Sequence, residues 1–200
     1  MKLLFAALLL LLIVQTTCTP STLEDTCRSF AAGHPTIGYD YCIKTFQADE
    51  ASAAAADTRA LAAVAARIAE AKANATAARV AALSALEKDA RRRGRLDVCA
   101  EVYSDAVDQL GQAAEDIAGG ADGGDGAEAA AAALLQDGVT QLSAALDAPG
   151  TCEDAFGEAD DTSPLAAEDA EFRKLATIAL AVAASLTAPP PSTPRPRISD

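Results

Sequence analysis

The sequence predicts an all-α fold, an antiparallel four-helix bundle with an N-terminal helical hairpin and two disulfides. Two observations carry this prediction. Apolar residues recur at spacings of three and four along four long, alanine-rich segments, which is the periodicity of amphipathic helices. An even set of cysteines follows what looks like an export signal, and in an exported chain such a set is typical of disulfides. These cysteines are Cys27, Cys42, Cys99 and Cys152.

The first residues have the layout of a signal peptide. Lys2 supplies a positive charge, and residues 3–14 are almost wholly apolar, a run too short for the roughly 20 residues of a membrane helix. We expect residues 1–18 to be removed by cleavage near Cys18–Thr19, which also removes the fifth cysteine. Cleavage further upstream would leave Cys18 as an odd thiol. The mature chain is therefore expected to be secreted, without a membrane anchor.

Residues 22–48 are predicted to form the helical hairpin. One helix begins near Thr22, a second short helical turn covers residues 39–46, and the His34–Pro35 pair separates them. A bridge between Cys27 and Cys42 would clip this hairpin, and closing a loop of that length contributes roughly 3 kcal/mol in the chain-entropy model.

The first long helix is predicted over residues 57–93. Asp57 is a plausible N-cap, and the cations at Lys88 and residues 91–93 precede Gly94, a pattern typical of a helix C-terminus. The residues predicted to form its apolar stripe are Leu61, Val64, Ile68, Ala71, Ala75 and Ala78.

Three more helices are predicted, near residues 96–118, 127–147 and 165–186. The apolar stripe of the first of these helices comprises Leu96, Cys99, Tyr103, Ala106, Leu110, Ala113 and Ile117. The stripe of the second comprises Leu135, Val139, Leu142 and Leu146. The stripe of the third comprises Leu165, Phe172, Leu175, Ala179, Val182 and Leu186. A bridge from Cys99 to Cys152 would join adjacent elements and contribute on the order of 4 kcal/mol. The bundle domain is expected to span residues 19–188, and residues 189–200 form a proline-rich tail.

The charge balance limits the partners. The chain carries a formal charge of −13, and the loss of Lys2 makes the mature chain one unit more negative. Nucleic acid requires cationic neutralisation of its phosphates, so it is not an expected partner. The acidity suits a basic protein partner, or serves solubility alone.

The sequence contains few residues or motifs that indicate catalysis. The single histidine, His34, precedes a proline in a loop, and the sequence holds no nucleophile elbow, HExxH, CxxC or phosphate-cradling loop. The glycine-rich loop at residues 119–126 has two aspartates but lacks the ligand count of a calcium site. We therefore expect no enzyme activity, no metal and no cofactor.

Two surface features have alternative interpretations. The arginine cluster of residues 91–95 is either an anion-docking patch or a helix C-terminus decorated with cations. Asn74 and Thr76 form a glycosylation sequon within a predicted helix, where modification requires Asn74 to face solvent.

Several motifs in register resemble the plant pectin methylesterase and invertase inhibitor family. They are TC at residues 26–27, YDYC at 39–42, CAEVYSDA at 99–106, SAAL at 143–146 and TCEDAF at 151–156. The resemblance covers residues 26–186 and implies a four-helix bundle preceded by a helical hairpin, with disulfides Cys27–Cys42 and Cys99–Cys152. It also implies a secreted protein, expected to be monomeric, that blocks a cell-wall carbohydrate enzyme stoichiometrically.

The family divides by target. The invertase inhibitors are associated with a Pro-Lys-Phe motif upstream of the last cysteine, and residues 126–150 contain none. The segments at residues 103–112 and 150–156 look closer to the pectin methylesterase inhibitors, which implies target contacts at Thr151 and Asp154. Alternatively, these two residues only cap a helix that begins after Cys152. An inhibitor of acid invertase and a non-inhibitory helical cell-wall or storage-type protein stay open as alternatives.

Overall fold

The computed structural model describes residues 20–119 and 126–187, and in these ranges the chain forms helices and no strand. The predicted signal peptide at residues 1–18 and the proline-rich tail at 189–200 lie outside the described residues. The helices, in chain order, are α1 (Pro20–Gly33), α2 (Gly38–Gln47), α3 (Glu50–Ala54), α4 (Thr58–Leu86), α5 (Ala90–Ala118), α6 (Ala127–Ala145), α7 (Ala148–Gly157) and α8 (Ala166–Ser185).

Helices α4, α5, α6 and α8 form the four-helix bundle. α4 packs against α5 and α8, and α6 packs against the same two helices. Arg59, near the start of α4, donates hydrogen bonds to the carbonyl of Ile117 at the end of α5 and to that of Ala131 near the start of α6, at 3.0 and 3.4 Å. Arg79, towards the other end of α4, pairs with Glu168 at the start of α8 at 3.9 Å. Neighbouring helices are therefore antiparallel, which confirms the predicted fold class.

Helices α1 and α2 form the N-terminal hairpin, which packs on the bundle through α4 and α8. The Cys27–Cys42 disulfide joins the two helices, and Phe30 and Phe46 are buried beside it. The hydroxyl of Tyr41 donates a 2.5 Å hydrogen bond to Glu171 of α8. The hydrogen bond from Tyr41 is the main cause that lowers the pKa of Glu171. Burial of the carboxylate acts to raise this pKa, and the hydrogen bond from Lys174 acts to lower it.

The stripe predicted for α5 is buried in full, from Leu96 to Ile117, as are the predicted core residues of α8 from Leu165 to Val182. The interface between α5 and α6 is especially close. A Cβ atom placed on Gly138 of α6 would lie 2.9 Å from Cγ1 of Ile117, so only glycine permits this approach. Small residues thus let the bundle pack tightly where leucine would hold the helices apart.

The first long helix differs from the prediction in both length and buried face. α4 ends at Leu86, and α5 begins at Ala90 with Asp89 as its N-cap, accepting from the backbone N–H groups of Arg91 and Arg92. The arginines therefore lie at a helix start, and Gly94 lies inside α5 rather than after a helix end. Ala71, Ala75 and Ala78 are exposed. The buried face of α4 keeps the predicted Leu61 and otherwise comprises Ala62, Ala63, Ala65, Ala66, Ala69, Ala73, Thr76 and Val80.

Two short helices were missed by the sequence analysis. α3 follows the hairpin, with the Asp49 side chain accepting from the N–H of Ala51 at 2.9 Å. α7 places Cys152 within a helix rather than just beyond one. Both are short, alanine- or glycine-containing segments whose apolar residues do not complete two turns of a recognisable stripe.

Candidate functional site

Helix α7 presents Thr151 and Asp154, the two residues singled out by the sequence resemblance. Cys152 and Phe156 of α7 are fully buried, and the Cys99–Cys152 disulfide ties the helix to α5, the pairing that the resemblance implies. The opposite face is exposed and carries Asp147, Thr151, Asp154 and Glu158. Spacings of four, three and four place these side chains in one line along the helix, and we call them the α7 ridge.

Neither Thr151 nor Asp154 caps a helix, so the capping alternative is wrong. α7 begins at Ala148, three residues before Thr151. The Thr151 hydroxyl donates to the carbonyl of Asp147 at 3.3 Å, which is the bond of a threonine already inside a helix. An N-cap side chain instead accepts from backbone N–H groups of the first turn, and Asp154 accepts no such bond in the described part of the chain.

The two neighbouring acids of α7 have different surroundings. Glu153 accepts from Arg173 of α8 at 3.2 Å, an ion pair whose side chains are about two-fifths exposed. The exposed Asp154 carboxylate has no ion pair or side-chain hydrogen bond with any described residue. Glu153 thus helps to hold α7 on the bundle, and Asp154 is available to a partner.

The loop after α7 is anchored by a cluster of charges. Nη1 of Arg92 donates to both carboxylate oxygens of Asp161, at 2.6 and 2.5 Å, and Arg95 donates to the same carboxylate at 2.7 Å. The Arg92 guanidinium also lies 5.4 Å from the ring centroid of Phe156, within cation–π range. Although desolvation acts to raise the pKa of Asp161, the bonds from Arg92 and the Thr162 N–H and the nearby arginine charges lower it overall.

This cluster changes the interpretation of residues 91–95. Arg92 and Arg95 are engaged by Asp161, and the Arg93 guanidinium donates to the backbone carbonyl of Glu87. Three of the four arginines therefore have acceptors within the chain. The arrangement fastens the start of α5 to the end of α7, and it leaves little free cationic surface to dock an anion.

A buried polar pair lies beneath α7. The hydroxyl of Tyr103 donates a 2.5 Å hydrogen bond to Oδ1 of Asp169, and both residues are fully buried. Burial raises the pKa of Asp169 to about 6, with the bond from Tyr103 opposing and the charge of Glu153 adding to the rise. The pKa of Tyr103 is raised, mainly by burial of the side chain and to a smaller extent by the hydrogen bond to Asp169. The Phe172 ring packs edge-on against Tyr103 with 5.5 Å between centroids.

The sequence analysis did not identify this pair, although a signal was present. Tyr103 lies on the buried stripe of α5, and a buried tyrosine hydroxyl usually finds a partner. Asp169 lies four residues after Leu165 and three before Phe172, which places a carboxylate on the apolar stripe of α8. A charge at such a position predicts a specific buried partner.

The one histidine does not form a catalytic triad. His34 shares a surface groove with Ser29 and Asp25, the residue types that a hydrolytic triad requires. Its ring stacks on Phe30, with 4.8 Å between centroids, and no hydrogen bond joins it to the serine or the aspartate. Asp25 pairs with Arg28 instead. The arrangement lacks the hydrogen-bonded relay through which histidine activates a serine.

Three further candidate features are a metal site, a membrane-spanning helix and a glycan. Among residues 20–119 and 126–187, no group of three or more potential ligands is placed to hold a metal ion. Nor does any helix of this part of the chain have the length and apolarity to span a membrane. Asn74 is exposed on α4, whereas Thr76 of the sequon is fully buried and donates to the carbonyl of Lys72 at 3.0 Å.

Comparison with known proteins places this geometry in context. Residues 13–182 match the family described as plant invertase/pectin methylesterase inhibitor. A putative invertase inhibitor of Platanus acerifolia is 28% identical over 174 residues, covering 86% of this chain and 89% of the relative. A pectinesterase inhibitor of Actinidia deliciosa is 31% identical over 142 residues, covering 70% and 69%. The crystal structure of an Arabidopsis thaliana pectin methylesterase inhibitor matches with a TM-score of 0.55 at 22% identity, covering 84% of this chain and 97% of that one.

Proposed function

Because the chain belongs to the plant invertase/pectin methylesterase inhibitor family, we propose that it is a secreted, non-enzymatic inhibitor that binds pectin methylesterase stoichiometrically. The α7 ridge supplies the contact, with Thr151 and Asp154 as the target-binding residues, and the inhibitor covers the cleft that holds pectin. The partner is an extracellular enzyme of the cell wall, and the inhibitor acts as a monomer without a cofactor.

The observation that carries this proposal is the rigid mounting of an exposed acidic ridge. α7 is held by a disulfide to α5, by the Glu153–Arg173 ion pair to α8, and by the Asp161 cluster at its end. Two of these attachments reach α5 and the third reaches α8, which leaves the helix little freedom to reorient. A surface ordered before binding loses little entropy when a partner docks, which favours tight stoichiometric complexes.

The charge of the ridge indicates the chemistry of the partner. Three of its four side chains are carboxylates, at Asp147, Asp154 and Glu158, and the whole chain is strongly acidic. Such a surface attracts a basic enzyme, accelerating encounter at low ionic strength. A carboxylate such as Asp154, which has no partner among the described residues, can exchange water for a cationic side chain of the target without breaking any contact with them.

Acid invertase is the second candidate target. It is favoured by the descriptions of the two Platanus relatives, from Platanus acerifolia and Platanus orientalis, as putative invertase inhibitors, each 28% identical to this chain. The absence of Pro-Lys-Phe from residues 126–150 weighs against it. A third possibility is a helical cell-wall protein that kept the fold and inhibits neither enzyme.

We also propose that Asn74 carries an N-linked glycan. Its exposure meets the requirement set by the sequon. Because Thr76 is buried in folded α4, the modifying enzyme can read the sequon only before the helix packs. A loss of mass on treatment with a deglycosylating enzyme, absent from an Asn74→Gln variant secreted by plant cells, would test this site.

The decisive experiment titrates the mature protein against a plant pectin methylesterase and an acid invertase in parallel. We expect esterase activity to fall linearly to near zero at one equivalent, with invertase activity retained. Inhibition of invertase alone would transfer the function to the second candidate. Retention of both activities would favour the non-inhibitory protein.

A further inference from the structure

A groove of about 520 Å³ runs between the hairpin and one end of the bundle. α1 forms one wall along most of its length, from Thr22 to His34, and the last turns of α8 form the other, ending at Ser185. Thr58, at the start of α4, closes one side. The proposed inhibition does not involve this groove, because none of the residues of the α7 ridge lines it.

The lining of the groove suits an extended, proline-rich peptide. The half-buried ring of His34, stacked on the buried ring of Phe30, offers an aromatic contact, and aromatic side chains also line the grooves that bind polyproline helices. The hydroxyls of Ser29 and Thr58 make no hydrogen bond with any described residue, so both are free to donate. A polyproline helix has unpaired backbone carbonyls along its length, and these are the acceptors that such hydroxyls require.

The chain itself supplies a peptide of this kind at the rim of the groove. The described residues end at Thr187, two positions after Ser185 of the groove wall. The following segment, APPPSTPRPR at residues 188–197, contains five prolines and two arginines. We propose that residues 188–197 lie in this groove as an intramolecular polyproline ligand, joining the hairpin to the end of the bundle.

The dimensions permit this arrangement. A polyproline helix rises about 3.1 Å per residue, so the eight residues from Thr187 to Arg195 span about 25 Å. The groove wall from Thr22 to His34 is about 18 Å long at the rise of an α-helix. The tail can therefore follow the whole groove without strain.

Charge and tethering favour the same occupant. Asp25 lines the groove, and Glu24 beside it is exposed. The side chains of the Asp25–Arg28 ion pair are 70% and 65% exposed, so the Asp25 carboxylate can accept a second cation such as Arg195.

Tethering also favours this occupant. A tethered ligand has an effective concentration in the millimolar range, and prolines have little conformational freedom to lose. A groove of modest intrinsic affinity can then be filled.

NMR of the labelled mature protein and of a variant that ends at Thr187 tests the proposal. Removal of the tail should shift the amide resonances of Ser29, His34 and Thr58, which are remote in sequence from the truncation. Adding a synthetic peptide of residues 188–200 to the truncated protein should restore the original positions, with saturation at millimolar peptide. A peptide with alanine at 195 and 197 should bind about threefold more weakly, as expected of exposed ion pairs.

A blocked groove provides the matched control. Ser29→Arg places bulk and positive charge in the groove at an exposed helical position, and the tail-dependent shifts should vanish; Ser104→Arg, at an exposed position of α5, should preserve them. Shifts confined to the last turn of α8 would overturn the proposal. Shifts in the full-length protein that disappear on dilution would overturn it as well, because they would place the tail in the groove of a second copy.

Discussion

Tyr103 of α5 and Asp169 of α8 form a buried hydrogen bond of 2.5 Å across the bundle core. The second carboxylate oxygen of Asp169 has no hydrogen-bond partner among the described residues. A buried carboxylate with a single donor is poorly compensated for its lost hydration. The pair therefore makes the core specific for one packing and sensitive to both mutation and pH.

Tyr103→Phe should destabilise the fold by about 1–3 kcal/mol, because it leaves the buried Asp169 carboxylate without a donor. Chemical unfolding at pH 7 measures the change. Tyr39→Phe is the matched control, since Tyr39 is only partly buried and its hydroxyl makes no hydrogen bond with a described residue; it should cost less than about 0.5 kcal/mol. Equal effects of the two substitutions would contradict the role of the buried bond.

The pH dependence of stability should carry the signature of Asp169. Its folded pKa is raised to about 6 from an ordinary value of 3.8, so the folded state binds the proton more tightly. The stabilisation is complete below pH ~3.8 and is lost as the pH rises through about 6, a change of about 3 kcal/mol. The difference in unfolding free energy between the protein and Asp169→Asn, measured from pH 4 to 8, isolates this contribution from the other carboxylates. A difference that is constant across this range would show that Asp169 has an ordinary pKa in the folded state.

The two disulfides should contribute unequally to stability. Cys99–Cys152 spans 53 residues and Cys27–Cys42 spans 15, and the chain-entropy model assigns about 1 kcal/mol more to the longer loop. The longer loop also ties α7 to the bundle helix α5, whereas the shorter one closes the hairpin. Replacing each pair by alanines avoids odd thiols, and melting curves of the two double variants then compare the bridges. A larger loss of stability for the hairpin pair would contradict the expectation.

Asp161→Asn should loosen the end of α7. It replaces a carboxylate contacted by both Arg92 and Arg95, and because all three side chains are partly exposed, the expected loss of stability is small. Because the pKa of Asp161 is lowered, its stabilisation is present above the ordinary pKa and disappears as the pH falls through the folded value. The cost of the substitution should therefore vanish in acid; a cost that persists at pH 2 would require another explanation.

Most of the bundle could be predicted from sequence because its helices have complete apolar stripes. α5 is the clearest case, with buried residues at regular spacing from Leu96 to Ile117. α4 was harder, since alanines occupy both its buried and its exposed faces and give little contrast in hydrophobicity. Its end at Leu86 was missed because residues 87–93 read equally well as a cationic helix C-terminus. The N-cap at Asp89 shows that the arginines lie at the start of the next helix and not at the end of α4.

The surroundings of the candidate site could not be predicted for a similar reason. Motif resemblance points to Thr151 and Asp154 but says nothing of their surroundings. Only the fold shows that Glu153 is engaged by Arg173, while Asp154 is exposed on a helix fastened to both α5 and α8. Contacts such as Arg92–Asp161 join residues about 70 positions apart, and no local pattern in the sequence predicts such pairs.

If the α7 ridge binds pectin methylesterase, Asp154→Asn should have a lower affinity for the esterase. Asp160→Asn is the matched control, because Asp160 is also exposed and its positive φ of 53° is better tolerated by asparagine than by alanine. Calorimetry and a melting curve are recorded for each variant. Asp154→Asn should raise the Kd about tenfold or more, because a charge contact in the interface is lost, and should leave the melting temperature unchanged. Asp160→Asn should change neither quantity. An unchanged Kd for Asp154→Asn would contradict a contact between the α7 ridge and the esterase.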